Sequence, residues 1–248
     1  MATVDFKKVP TDVPLTVENI DLISARATEL AIAFKRRLES IQRQFSDARL
    51  RYSREADEVV SESDVENREV AKKFAKQQLA SKIAKFRINI EKSSRPQREE
   101  ILQPLAKLAA DADFLLTLYG SPAQALGRVA LGEVKRTQYQ LQLEGAGPVE
   151  LQTAAVTAIA TNDLPLAAAV VTVVDRRKRD QRPFAANEFA QQMWGKQHDE
   201  VNAKLKGVIH AYKSAVAADR EFARGKADPL TNLSLAISSK AIAQASKH

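Results

Sequence analysis

Between Arg176 and Arg182 the chain reads RRKRDQR, five cations in seven residues. Guanidinium and ammonium groups packed this closely do one kind of chemistry without a cofactor. They hold phosphate oxygens, release counterions and make affinity fall with salt. The same cations also suit the end of the apolar segment before them. There, positive charge complements the helix dipole and the last carbonyls for roughly 0.3–1 kcal/mol each. A second set, Lys206, Lys213, Arg220 and Arg224, recurs at intervals of seven, seven and four, which places it in one helical stripe. Arg176, Arg177, Lys178, Arg179 and Arg182, with that stripe, are the candidate nucleic-acid-binding residues. Neither set carries the Asn, Gln and Arg pattern of a base-reading helix, so the expected contact is with the phosphate backbone. Asp175 and Asp180 flank the first cluster and dilute its field.

Catalytic chemistry has much less to stand on. His198, His210 and His248 are too widely spaced for a local metal motif, and His198-Asp199-Glu200 is not HExxH. No phosphate-binding GxxxxGK[ST] or GxGxxG and no nucleophile-bearing GxSxG is present. Asp111 and Asp113 stand two apart on a helix and so diverge. The chain has no cysteine, which excludes disulfides, thiolate zinc sites and cysteine nucleophiles. Trp194, the sole tryptophan, falls on an apolar stripe and reads as core. A non-enzyme with neither metal nor cofactor is therefore expected. The alternative is an enzyme whose site assembles from distant residues.

Positioning such cations requires a scaffold, and the composition specifies its type. The 248 residues are 44% apolar and 28% charged, with eight glycines and nine prolines, a globular mixture that favours helix. Net charge is +7, distributed as +3 over residues 1–94, −3 over 95–175 and +7 over 176–248. The final third is thus the basic one, suited to polyanions or anionic surfaces. The first residues, MATVDFKKVPTDVP, contain Asp5 and no apolar h-region, unlike a secretory signal. An intracellular (cytoplasmic) or virion-interior setting is expected.

Residues 154–174 are long enough to span a bilayer. Asn162 and Asp163 lie near their midpoint, however, and Pro165 follows. A central Asp costs roughly 2.5–3.5 kcal/mol on an insertion scale, against gains of about 0.3–0.6 for each Leu, Ile or Val. Stable transmembrane insertion is not expected.

The spacing predicts an all-α fold: long amphipathic helices in an extended bundle, a hinge near 145–148, and a smaller helical C-terminal half. Residues 1–14, with Pro10 and Pro14, read as an extended arm; 15–144 as the long-helix bundle; 149–248 as the basic helical region. The first helix, about Val17 to Val60, places Ile20, Ile23, Ala27, Leu30, Phe34, Leu38, Ile41, Phe45, Ala48 and Tyr52 on one face. Its Arg36, Arg43, Arg51 and Arg54 lie opposite, diluted by carboxylates, and read as solvated. After the turn at SESDVE, a second helix carries Val70, Phe74, Ile83, Phe86 and Ile90. Ser94-Arg-Pro96-Gln97 and Ser121-Pro122-Ala-Gln124 each read as a helix start, opening a third helix to Tyr119 and a fourth to Leu143. Helices at about 149–160 and 164–179 follow Glu144-Gly-Ala-Gly-Pro148. Residues 169–174 are β-branched enough to form a strand, but no partner strand is evident, so helix is preferred. Helices at about 186–226 and 230–246 complete the chain.

Helices of more than 40 residues reach about 60 Å, so their apolar faces need partner helices from a folded-back bundle or from other subunits. In composition and helix length the chain resembles helical virion-associated proteins of tailed phages: internal, ejection or head–tail components. Such a resemblance implies a non-enzymatic structural or assembly protein. The expected partners are copies of itself, other structural proteins, and DNA or RNA backbone. A membrane-surface or membrane-active role for residues 154–182 is the other alternative.

Overall fold

The apolar spacing that opens the chain builds one uninterrupted helix, α1, Ile20–Ser61. A computed structural model describes residues 19–225 and 228–245; the arm at 1–14 and His248 lie outside them. The fold is all-α, with no strand among the described residues. After α1 come α2 (Arg68–Leu118), α3 (Pro122–Leu126), α4 (Val134–Leu143), α5 (Pro148–Thr161), α6 (Leu164–Arg176), α7 (Ala186–Arg224) and α8 (Pro229–Ala245). No helix among the described residues is long and apolar enough to cross a membrane.

The chain divides into two compact units, and the division does not fall at 145–148. One unit takes Leu22–Ala109 and His210–Ser238; the other takes Ala110–Ile209 with residues 19–21 and 239–245. Leu143 before the glycines and Leu151 after them are buried in one shared core, which makes 144–147 a turn within a unit.

In the first unit α1 and α2 form an antiparallel hairpin. Phe45 stacks on Phe86 at 6.3 Å, Tyr52 meets the same ring edge-on, and Lys82 Nζ reaches Glu55 Oε2 at 2.8 Å. The expected α1 face is the one used: Ile23, Ala27, Leu30, Phe34, Leu38, Ile41 and Ala48 are all buried. On α2 the face differs from the sequence reading. Ala75 is buried and Ala71, Leu79, Ile83, Phe86 and Ile90 are half-buried, whereas Val70 and Phe74 are 68% and 55% exposed.

The expected helix start at Ser94 is absent, because α2 continues through Pro96 and Pro104. A proline inside a helix costs about 3 kcal/mol, and contacts around Pro96 offset that cost. Ser94 is buried and its hydroxyl donates to the Glu91 carbonyl at 3.2 Å, inside the helix rather than as a cap. Arg98, 5% exposed, pairs with Asp219 of α7 and lies over the Phe222 ring at 4.9 Å. Gln97 accepts from Arg37 of α1. Tertiary anchoring of both flanking turns outweighs the local stop signal.

In the second unit the other start signal works as expected: Ser121 Oγ accepts from the Gln124 N–H at 3.3 Å and Pro122 fills the first turn. The helix it opens does not reach Leu143. Gly127 ends α3, and Ala130 (φ 56°) and Gly132 (φ 87°) adopt left-handed backbone that no right-handed helix includes. Arg136 stabilises the break from α4, donating to the Gly127 carbonyl at 2.6 Å and to Thr172 Oγ1 of α6 at 3.1 Å.

Residues 169–174 are helical, as preferred. Leu166, Ala167, Ala168, Ala169, Val170, Val171, Val173 and Val174 are all buried, so α6 is apolar nearly all round and α3, α4 and α5 pack against it. Asp163 starts it, accepting from the Leu166 N–H at 3.1 Å, from Tyr139 Oη at 3.0 Å and from Lys135 Nζ at 2.8 Å. Burial alone would raise the Asp163 carboxyl; those three donors outweigh it and hold the group below its ordinary value.

Two outcomes follow from these contacts. Asp219→Ala strands a buried guanidinium and should cost about 3 kcal/mol in urea unfolding, whereas Asp113→Ala, at an exposed position, should leave stability within about 0.5 kcal/mol. Asp163→Asn keeps a capping oxygen but loses the charge, and should cost about 1 kcal/mol at pH 7. Because the folded-state value is depressed, that contribution is complete above the unfolded carboxylate range, about pH 4. It disappears as pH falls through the folded-state value, so the melting temperatures of variant and parent should converge in acid.

Candidate polyanion interface

The cationic turn divides between structure and solvent. Arg182 closes the end of α6: Nε donates to the Arg177 carbonyl at 2.9 Å, Nη2 donates to the Asp175 carbonyl at 2.6 Å, and Nη1 lies 3.1 Å from Asp175 Oδ1. Arg177 is half-buried and donates to the Ala146 carbonyl. These two side chains satisfy carbonyls at the end of α6 and in the 144–147 turn and are not displayed to a ligand. Arg176, Lys178 and Arg179 are exposed, and among the described residues their one ion pair is a 3.8 Å contact from Arg176 to Glu144. Three of the five cations thus remain available for phosphate.

The stripe on α7 is exposed at Lys206, Lys213, Arg220 and Arg224, and Arg224 stands 3.8 Å from Asp228. Lys206 belongs to the second unit with the 176–182 turn, and the other three to the first. His210 lies on the same helix, half-buried; burial first, and Lys213 second, hold its imidazole below its ordinary value. His198 is buried, its Nε2 2.7 Å from the Tyr119 carbonyl. That distance makes Nε2 a donor and gives the ring a packing role beside Trp194. Among the described residues no group of three or more His, Asp or Glu side chains is placed to hold a metal ion.

Two sets of residues were missed in the sequence. Arg136 is 5% exposed with no carboxylate partner among the described residues; burial first, and Arg176 second, lower its pKa from the ordinary arginine value. Nothing in Val134-Lys-Arg-Thr distinguishes it, since its carbonyl partner is supplied by a helix break and its hydroxyl partner by α6.

The other set is the hairpin shaft. Residues 35–54 of α1 hold seven cations and two carboxylates, and 72–92 of α2 hold seven and one, for net charges of +5 and +6. Between them residues 57–69 hold six carboxylates and one arginine, for −5. The hairpin brings the two basic segments side by side and sets the acidic one at its end. A count over 1–94 returns only +3 because the end, at −5, and the remaining residues, at −3, offset most of the shaft's +11; a 20-residue window resolves them.

A cavity of about 460 Å³ in the first unit is lined by Phe45, Arg87, Glu91, Glu221 and Phe222 among others. Two of its polar groups, Glu221 and Arg87, are committed elsewhere. Glu221 Oε1 accepts from the Asp228 N–H at 2.8 Å and from Asn232 at 2.7 Å, closing the α7–α8 turn. Arg87 donates to the Ala223 carbonyl at 3.1 Å, beside Gly225, whose φ of 70° is left-handed backbone that favours glycine.

Arg182→Ala should lower the melting temperature, by about 1–2 kcal/mol in unfolding free energy, through the two carbonyls it abandons. Arg179→Ala should not change it measurably; thermal unfolding followed by circular dichroism distinguishes them. No protein family, curated protein or solved structure matches the chain.

Proposed function

We propose that the chain is a non-enzymatic helical assembly protein that acts as an oligomer and contacts nucleic-acid backbone without reading sequence. One observation carries this reading. Over residues 45–90, the outer part of the α1/α2 hairpin, only Ala48 and Ala75 are buried. A two-helix hairpin with so little core gains stability from further helices, which other subunits supply. The exposed cations on the shaft, at Arg176, Lys178 and Arg179, and along α7 support the polyanion half of the reading. Likeness in composition and helix length to internal, ejection and head–tail components of tailed phages makes a virion-associated role the specific form proposed.

A membrane-surface role for 154–182 has one observation in its favour: Val156 and Ile159 are 61% and 37% exposed on α5, not far in sequence from the exposed cations after α6. Backbone binding and lipid binding differ in salt response. Affinity for a short duplex DNA should fall steeply between 50 and 200 mM salt, with a slope of about 0.9 per phosphate neutralised. Changing Arg176, Lys178 and Arg179 to Ala should reduce that slope by about two to three without altering the melting temperature. No binding at low salt removes the nucleic-acid half, and flotation with liposomes that survives high salt moves the assignment to the membrane surface.

A further inference from the structure

We propose that the acidic end of one hairpin, residues 57–69, docks on the basic shaft, residues 35–54 and 72–92, of a second copy of this chain. The inference rests on the assembly reading above and names the surface through which the copies meet.

Three observations converge on it. The charges are complementary in sign and separated in space, −5 at the end and +11 over the shaft. Five of the six carboxylates are unused within the chain: Asp57, Glu58, Glu62, Asp64 and Glu66 make no ion pair among the described residues, while Glu69 pairs with Lys72. Both surfaces also carry apolar side chains in water. Val65, Val70 and Phe74 are 80%, 68% and 55% exposed at and beside the end, and Leu50 and Ile88 are 60% and 51% exposed on the shaft. Exposed ion pairs alone contribute little and are screened by salt. Their role here is to steer and set register, while the apolar contacts supply the burial.

A second copy fits better than an unrelated partner because one chain carries both complementary surfaces. Two hairpins packed antiparallel about a two-fold axis place each acidic end on the other's shaft, so every favourable contact is made twice. The centres of end and shaft lie about 20 residues apart, or about 30 Å along the helices. That separation keeps an end from folding onto its own shaft while α1 and α2 stay helical.

The test is sedimentation velocity of the full chain at 50 and 500 mM salt, with two charge-reversed forms. One is Glu62→Lys with Asp64→Lys and Glu66→Lys, which takes the end from −5 to +1; the other is Arg43→Glu, Arg49→Glu, Arg54→Glu, Lys73→Glu, Lys76→Glu and Lys85→Glu together, which takes the shaft from +11 to −1. All nine positions are exposed, and circular dichroism verifies that each form keeps its helix. Self-association of the parent should weaken at least tenfold at high salt, and each reversed form alone should lose at least tenfold at low salt. Mixed together they should associate again, because both contacts regain opposite signs. Association that ignores both reversals, or no recovery on mixing, overturns this docking while leaving an oligomer to be explained otherwise. A parent monomeric at every salt and concentration overturns the assembly reading itself. If shaft reversal abolishes binding of a 20-base-pair duplex but leaves self-association intact, the shaft is a polyanion site and the docking is overturned.

Discussion

A helix of 42 residues with an apolar stripe along it needs a cover of comparable length, and that constraint organises the first unit. α2 meets it only by remaining one helix of 51 residues, so Pro96 and Pro104 are carried inside it. Arg98, paired with Asp219 and stacked on Phe222, and Gln97, accepting from Arg37, hold the turns around Pro96 in place. A local rule that ends helices before proline gives way because the cost of obeying it is an uncovered stripe on α1. The cover still thins outward, to Ala48 and Ala75 alone over 45–90, and this is where a further partner gains most.

The second unit meets a different constraint. α6 has almost no polar face, so it must be surrounded, and α3, α4 and α5 are short because they wrap one short buried helix. Its two ends carry the polar work. Asp163 gathers three donors at the start, and Arg182 closes the last carbonyls. Arg136 crosses from α4 to the Gly127 carbonyl and Thr172, a guanidinium buried without a carboxylate. The cationic turn therefore serves two purposes, with Arg177 and Arg182 finishing the fold and Arg176, Lys178 and Arg179 left to solvent.

Charge follows the same logic of placement. A polyanion contact depends on cations sharing a surface, not on their total. The final third, +7 by sequence, loses Arg177 and Arg182 to capping, while the hairpin shaft gains +11 by bringing two separated segments together. The acidic connection that hides the shaft in a coarse count becomes, at the end of the hairpin, a separate surface of opposite sign.

The sequence by itself determined the helical class, the α1 face from Ile23 to Ala48 and the start at Ser121. Each of these rests on periodicity or on contacts within four residues, which a linear pattern encodes directly. Tertiary structure alone decided that Ser94-Pro96 would not start a helix, that the helix from Pro122 would stop at Leu126, and that Val70 and Phe74 would face solvent. It also decided which cations are free. In several of these cases the deciding partner lies far along the chain: Asp219 for Arg98, Thr172 for Arg136, and the opposite arm of the hairpin for the shaft. No local spacing reports those partners, because they become neighbours only when the helices pack.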